Sequence, residues 1–208
     1  MGTEIKKCAV ISGAPEEDLS YYHKFLQDRY IICADSGYEK CAALGITPDL
    51  IIGDFDSSPR PHIECEIIDL KIRKNDTDTF HCVKEAMDRG CSNIVILGGI
   101  GDRVDHTYSN ILSVVYCYDR NIECELINEK NRLFVAGGDI TLSRGEYEYF
   151  SLFALFQKCT VSIKGAQYEL DAYELAPDCQ LTQSNAFKED RVKISVKNGK
   201  IILILCND

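Results

Sequence analysis

Short, mostly apolar runs alternate with amphipathic stretches through the first two-thirds of the chain, and few folds accept that arrangement. The apolar runs at 8–11, 30–34, 50–52, 66–70, 93–97 and 123–127 read as strands. The stretches at 15–27, 36–44, 78–89 and 106–118 carry helical spacing. A strand apolar on both faces must be covered on both faces, which a parallel sheet with crossover helices provides. The spacing therefore predicts an open, mostly parallel α/β domain over residues 1–130.

Beyond about residue 131 the texture changes. Strand-like segments at 135–142, 148–156, 160–164, 191–196 and 200–206 are separated by turn signals such as Gly137-Gly138, Arg144-Gly145 and Asn198-Gly199. No helical pattern is visible. Asn-Gly between two apolar runs predicts a tight hairpin at 196–200. Residues 131–208 are expected to form a small antiparallel β-sandwich or barrel, supported by its neighbour or by a twin chain.

Composition narrows the function. The eleven cysteines are scattered, with no C-x-x-C pair, so reduced thiols in a cytoplasmic setting are expected rather than a disulfide scaffold or a zinc site. Nothing near Met1 reads as an export signal, and no apolar run nears the ~20 residues of a membrane span. A formal net charge of −10 argues against a nucleic-acid partner. It also means that an anionic nucleotide could be held at an acidic site only through a divalent cation.

Ligands of open α/β sheets bind at the carboxyl ends of the strands. Those ends are rich in aspartate here. The second run ends in Asp35-Ser36-Gly37 and the third in Gly53-Asp54-Phe55-Asp56-Ser57. The fourth leads to Asn75-Asp76-Thr77-Asp78, and the fifth to Gly98-Gly99-Ile100-Gly101-Asp102-Arg103-Val104-Asp105-His106. Singly, Asp78 and Asp105 could be helix N-caps, and Asp35 and Asp54 could be turn formers. Together, like charges on one edge repel unless a cation joins them, and hard cations prefer oxygen ligands. The group therefore points to magnesium and phosphate.

Gly98, Gly99 and Gly101 would let backbone N–H groups approach an anion ahead of a helix N-terminus, although the pattern is neither a P-loop nor G-x-G-x-x-G. Arg103 could clamp phosphate oxygens, or simply pair with Asp102 or Asp105. His106 could carry a proton, but a histidine beside a helix start is more often a structural hydrogen-bonder.

Taken together, these blocks resemble the thiamine pyrophosphokinase family. The resemblance rests on Ala34-Asp35-Ser36-Gly37, on Pro48 through Gly53-Asp54-Phe55-Asp56-Ser57, on Asp76-Thr77-Asp78, and on Leu97-Gly98 through Arg103-Val104-Asp105-His106 with Asn110. Further on, Lys164-Gly165-Ala166-Gln167-Tyr168-Glu169-Leu170 and Ser184-Asn185 look like later family segments. Ser36 stands where a second glycine is usual, Asp102 interrupts the commoner G-G-R-x-D-H, and Asn75 stands where the family places an acid.

The resemblance implies an ATP-binding α/β domain, a thiamine-binding and dimerising β domain, and a homodimer with thiamine between subunits. By this carry-over Asp54, Asp56 and Asp78 hold Mg2+, with Asp76 or Asn75 completing the shell. Asp35, Gly37, Gly53, Ser57, Thr77, Gly98, Gly101, His106 and Asn110 line the ATP site, together with Arg103 and Asp105. Tyr168, Ser184 and Asn185 face thiamine. Thiamine's hydroxyl would attack the β-phosphorus of ATP, giving thiamine diphosphate and AMP, with an aspartate or solvent as base. Two rivals use the same edge: a metal-dependent nucleotide phosphohydrolase, which needs no thiamine, and a sensor that binds without turnover.

Overall fold

The computed structural model describes residues 6–55, 60–70 and 76–208. Within it the chain divides into two compact units, 1–129 and 130–208.

The first unit carries the strands β1 (Lys6–Ile11), β2 (Tyr30–Ala34), β3 (Leu50–Gly53), β4 (Glu66–Asp69), β5 (Cys91–Leu97) and β6 (Glu123–Ile127). Their order across the sheet is β6-β5-β1-β2-β3-β4, and every pairing is parallel. The apolar runs behave as expected of buried parallel strands. Ala9 and Ile11 of β1 join a cluster with Tyr22, Leu26 and Cys41 on one face, while Cys8 and Val10, equally buried, alternate to the other. Helix α3 (Asp78–Asp88) packs against β1, β2, β3 and β5, and α4 (Val104–Tyr118) packs against β6.

The helical expectations hold unevenly. Of residues 15–27, only a 3-10 turn at Ser20–Tyr22 and the short α1 (His23–Leu26) are helical. Asp18 accepts bonds from both the backbone N–H and the hydroxyl of Ser20, a local turn that competes with helix. Residues 36–44 resolve into a 3-10 turn, Asp35–Gly37, followed by α2 (Tyr38–Ala43). The expected N-caps shift by a residue or two. Thr77 caps α3, its hydroxyl accepting from Phe80 N at 3.3 Å, so Asp78 is the first helical residue. Arg103 precedes α4, leaving Asp105 in its first turn rather than at its cap.

The second unit is antiparallel throughout: β7 (Asn131–Ser143), β8 (Tyr149–Ala154), β9 (Cys159–Lys164), β10 (Leu170–Leu175), β11 (Asn185–Ala186) and β12 (Arg191–Cys206). The expected hairpin at Asn198-Gly199 is not formed. Instead β12 runs straight through and pairs with β7 on both sides of the dipeptide, with the register jumping from Val196↔Gly138 to Ile201↔Ala136. Asn198 supplies the left-handed φ of 59° that would suit a turn, and spends it on a bulge. At the bulge β12 also changes its other neighbour, from β9 before it to β8 after it. Residues from both halves, Val161 and Ile163 with Phe150 and Leu152, share one core, so the sheet curls over itself. Phe150 and Phe187 meet edge to face there, 5.1 Å between centroids.

Candidate functional site

The strand order of the first unit reverses at β1 and β5: the chain steps outward from β1 to β4, then returns to β5 on the other side. At such a switch point the loops leaving the two strands diverge and open a crevice at their carboxyl ends. A cleft of about 650 Å3 lies there, walled by residues 12–15 after β1 and by Gly99, Gly101, Asp102 and Arg103 after β5. Asp35 and Ser36 after β2, Thr77, Asp78 and Thr79 at the start of α3, and His106, Thr107 and Asn110 of α4 complete it.

The sequence-derived candidates of the first unit divide into three groups. Asp35, Thr77, Asp78, Gly101, Arg103, His106 and Asn110 line this cleft. Gly37, Gly53, Asp54, Asp76, Gly98 and Asp105 belong to the same unit without lining it. Asp56, Ser57 and Asn75 lie outside the described residues.

Asp35 is the most distinctive lining residue. It holds a left-handed backbone, φ 45°, which costs a non-glycine residue energy and recurs at functional positions. Gly53 abuts it: a Cβ there would lie 3.1 Å from Asp35 Cα and 3.2 Å from its Oδ1. The ends of β2 and β3 can meet so closely only because residue 53 lacks a side chain. Half-buried Asp54 follows directly, and Phe55 repeats the left-handed conformation at φ 50°.

Several candidates are engaged by protein partners. Arg103 grips Asp105 through two bonds, Nε to Oδ1 at 3.2 Å and an Nη to Oδ2 at 2.6 Å, and this holds the Asp105 carboxyl below its usual range. Asp76 takes Lys84 Nζ at 2.5 Å, which likewise holds its carboxyl down. Asn110 is buried and donates to Gly99 O at 2.8 Å. Thr107 Oγ1 both accepts from Gly101 N and donates to Gly101 O at 3.2 Å. Asn110 and Thr107 thus hold the glycine turn in shape from α4. Gly98 begins that turn with φ 63°.

Among the described residues, no three His, Cys, Asp or Glu side chains gather closely enough to hold an ion unaided. Mg2+ in phosphate sites makes no such demand: one or two carboxylates suffice, with phosphate and water oxygens completing the octahedron. Asp35 and Asp78 in the cleft supply oxygen donors of the right kind, and Asp54 follows the glycine that abuts Asp35.

The search of strand ends for carboxylates passed over the end of β1. Ser12, Gly13, Ala14 and Pro15 form a cleft wall with no acid among them. Ser12 Oγ lies 2.8 Å from Thr79 Oγ1, tying that wall to α3. The available signal was positional, since the first strand of a doubly wound sheet also ends at the crevice.

In the second unit Tyr168 is 63% exposed. Its backbone is clamped by Asn185, which accepts from Tyr168 N at 3.0 Å and donates to Tyr168 O at 2.7 Å. Asn185 is buried, so its amide presents the Tyr168 ring rather than an open polar group. Exposed Ser184 adopts φ 54°, its N–H donating to Ser151 Oγ at 2.9 Å.

The comparisons with known proteins fall on the same two units. The model of the thiamin pyrophosphokinase catalytic domain matches residues 22–126. The model of the thiamin pyrophosphokinase vitamin B1 binding domain matches residues 139–201. The chain belongs to the thiamin pyrophosphokinase family. Its activity is accordingly the ATP-dependent transfer of a diphosphate group to the hydroxyl of thiamine. Among solved structures, the fold is similar to thiamine pyrophosphokinase from Bacillus subtilis, with 22% identity over 98% of this chain and 100% of that one and a TM-score of 0.90. The enzyme from Geobacillus thermodenitrificans gives 22% identity, coverage of 97% and 98%, and a TM-score of 0.87. Yeast thiamin pyrophosphokinase gives 14%, coverage of 99% and 87%, and 0.82. No curated protein sequence matches. Neither matched domain nor these neighbours support the phosphohydrolase alternative.

Proposed function

We propose that the switch-point cleft of the first unit is where Mg-ATP binds, and that the second unit binds thiamine, in a cytoplasmic homodimer. The observation that carries the nucleotide site is the meeting of Asp35, Asp78 and Arg103 around one crevice, from three separate stretches of chain. Asp78 and Asp54 would hold the cation, with Asp56 and Asp76 as further candidate ligands. The bound ion would neutralise phosphate charge. Arg103 adds a fork of N–H donors for phosphate oxygens, exchanging its Asp105 partner for them.

Thiamine's hydroxyl attacks the β-phosphorus, an O–P bond forms, and the bond from that phosphorus to the bridging oxygen of the AMP portion breaks. The hydroxyl proton passes to an aspartate or to solvent. Little covalent work falls to the protein in such a transfer, and alignment with charge neutralisation does most of it. Tyr168, held out by Asn185, is suited to cover the thiamine heterocycle, with Ser184 beside it.

The homodimer draws support from an exposed apolar stripe on α4. Val104, Tyr108 and Leu112 recur at helical spacing and are 77%, 60% and 41% exposed. A stripe of that kind is a surface for a second copy.

The cation is tested by measuring AMP from thiamine and ATP in excess Mg2+ and in EDTA. Turnover should vanish in EDTA and return when Mg2+ is restored. Equal rates in the two conditions would remove the cation from the account.

A further inference from the structure

The β1 end of the cleft is held from behind by a buried charge. Lys40 of α2 donates to Ser12 O at 2.9 Å, to Ala14 O at 2.5 Å and to Glu16 Oε2 at 3.2 Å. Its side chain is 12% exposed and that of Glu16 9%. Glu16 accepts in turn from the hydroxyls of Tyr21 and Tyr22, and Tyr22 is fully buried. Ser12 and Ala14 are also cleft-lining residues. A lysine this enclosed is costly unless paired, and burial lowers its pKa while Glu16 counters the shift. A surface turn needs no such arrangement. A substrate-facing wall that must keep a fixed shape does.

We propose that Lys40, neutralised by Glu16, is a positioning residue for the nucleotide: it fixes the backbone of residues 12–14 so that the cleft wall they form meets ATP in register. This rests on the reading of the cleft as the ATP site. The β1 wall is also held by two backbone bonds to the β5 end, Ser12 N to Leu97 O at 2.8 Å and Ala14 N to Gly98 O at 2.9 Å, and by the Ser12 Oγ–Thr79 Oγ1 bond to α3. Lys40 adds charge-assisted bonds at both carbonyls of the same turn, and it reaches them from the helix that follows Asp35. It thereby ties the β1 and β2 walls of the cleft to each other.

The test compares the native enzyme with Lys40→Met, which keeps the apolar stem and removes the donors, and with Glu16→Gln, which keeps an acceptor oxygen for one of the two tyrosine hydroxyls and removes the counter-charge. AMP formation is followed against ATP and against thiamine, with a thermal melt of each protein. In Lys40→Met the KM for ATP should rise about tenfold, the scale of one charge-assisted hydrogen bond. The KM for thiamine and kcat at saturating ATP should stay within about twofold, a pattern that uniform loss of folded protein does not produce. Glu16→Gln should shift the KM for ATP in the same direction by a smaller factor, and it decides the matter if Lys40→Met fails to fold. An unchanged KM for ATP in the folded variants, or an equal rise for both substrates, overturns the positioning role. If the native enzyme forms no AMP from thiamine and Mg-ATP, it is the underlying reading of the cleft that fails.

Discussion

Replacing Asp78 by asparagine is expected to lower AMP-forming turnover by about 10²–10³-fold, the usual scale for losing one preorganised charge at a reacting centre. The substitution is close to isosteric, and Asp78 is the first residue of a helix that is capped by Thr77, not by Asp78 itself. The fold loses the favourable interaction of a carboxylate with the helix N-terminus, about 0.3–1 kcal/mol. The cleft loses more. It is left with one negative charge fewer and, at the proposed cation site, a neutral amide oxygen that is a weaker ligand for a hard cation than a carboxylate. The measurement is kcat by AMP release at saturating substrates, with a melt to show that the protein is folded. Turnover within threefold of the native rate would take Asp78 out of the site.

Gly37→Ala should act through the fold. A Cβ at residue 37 would land on the carbonyl oxygen and carbon of Ile11, the last residue of β1. Both obstacles are backbone, so neither can swing aside as the tip of a flexible side chain could. Either β2 and β1 separate at their ends or the 3-10 turn carrying Asp35 shifts, and overpacking of this kind costs about 3 kcal/mol. For a chain of this size that corresponds to a melting temperature lower by about 6–12 °C. Activity should fall as well, because Asp35 and Ser36 belong to the displaced turn. A melting temperature changed by less than about 2 °C would mean that the turn has slack its geometry does not show.

Much of the first unit was legible because its strands announce themselves. The run at 30–34 coincides with β2, since a parallel strand buried on both faces has little freedom to be anything but apolar. Helix starts were less legible. Asp78 and Asp105 looked like caps by residue type, yet Thr77 and Arg103 hold those positions, and which residue caps depends on where the preceding turn releases the chain. In the second unit Asn198-Gly199 carries the same residues for a bulge as for a turn. Only the partner strand decides between them, and β7 extends past both halves. Strand β10 was missed because it is an edge strand, pairing with β9 alone and carrying Asp171 and Glu174 outward, the composition by which edges avoid further pairing.

The site shows the same division. Asp35, Asp78 and Arg103 could be found because carboxylates and guanidinium at strand ends advertise their chemistry, and the structure brings them to one cleft. The pairing of Arg103 with Asp105 was one of the alternatives the sequence offered, but the commitments of Asp76 to Lys84 and of Asn185 to Tyr168 could not be read, since each depends on side-chain reach in the folded chain. The Glu16–Lys40 pair was invisible for the same reason. Its members lie 24 residues apart with no pattern joining them, and the wall they support contains no charged residue of its own.

The most direct test of the whole account is the stoichiometry of products, followed by phosphorus NMR on the native protein with ATP, Mg2+ and thiamine. One AMP should appear for each thiamine diphosphate formed, with neither product accumulating when thiamine is omitted. Release of ADP or inorganic phosphate at the same rate with and without thiamine would contradict it.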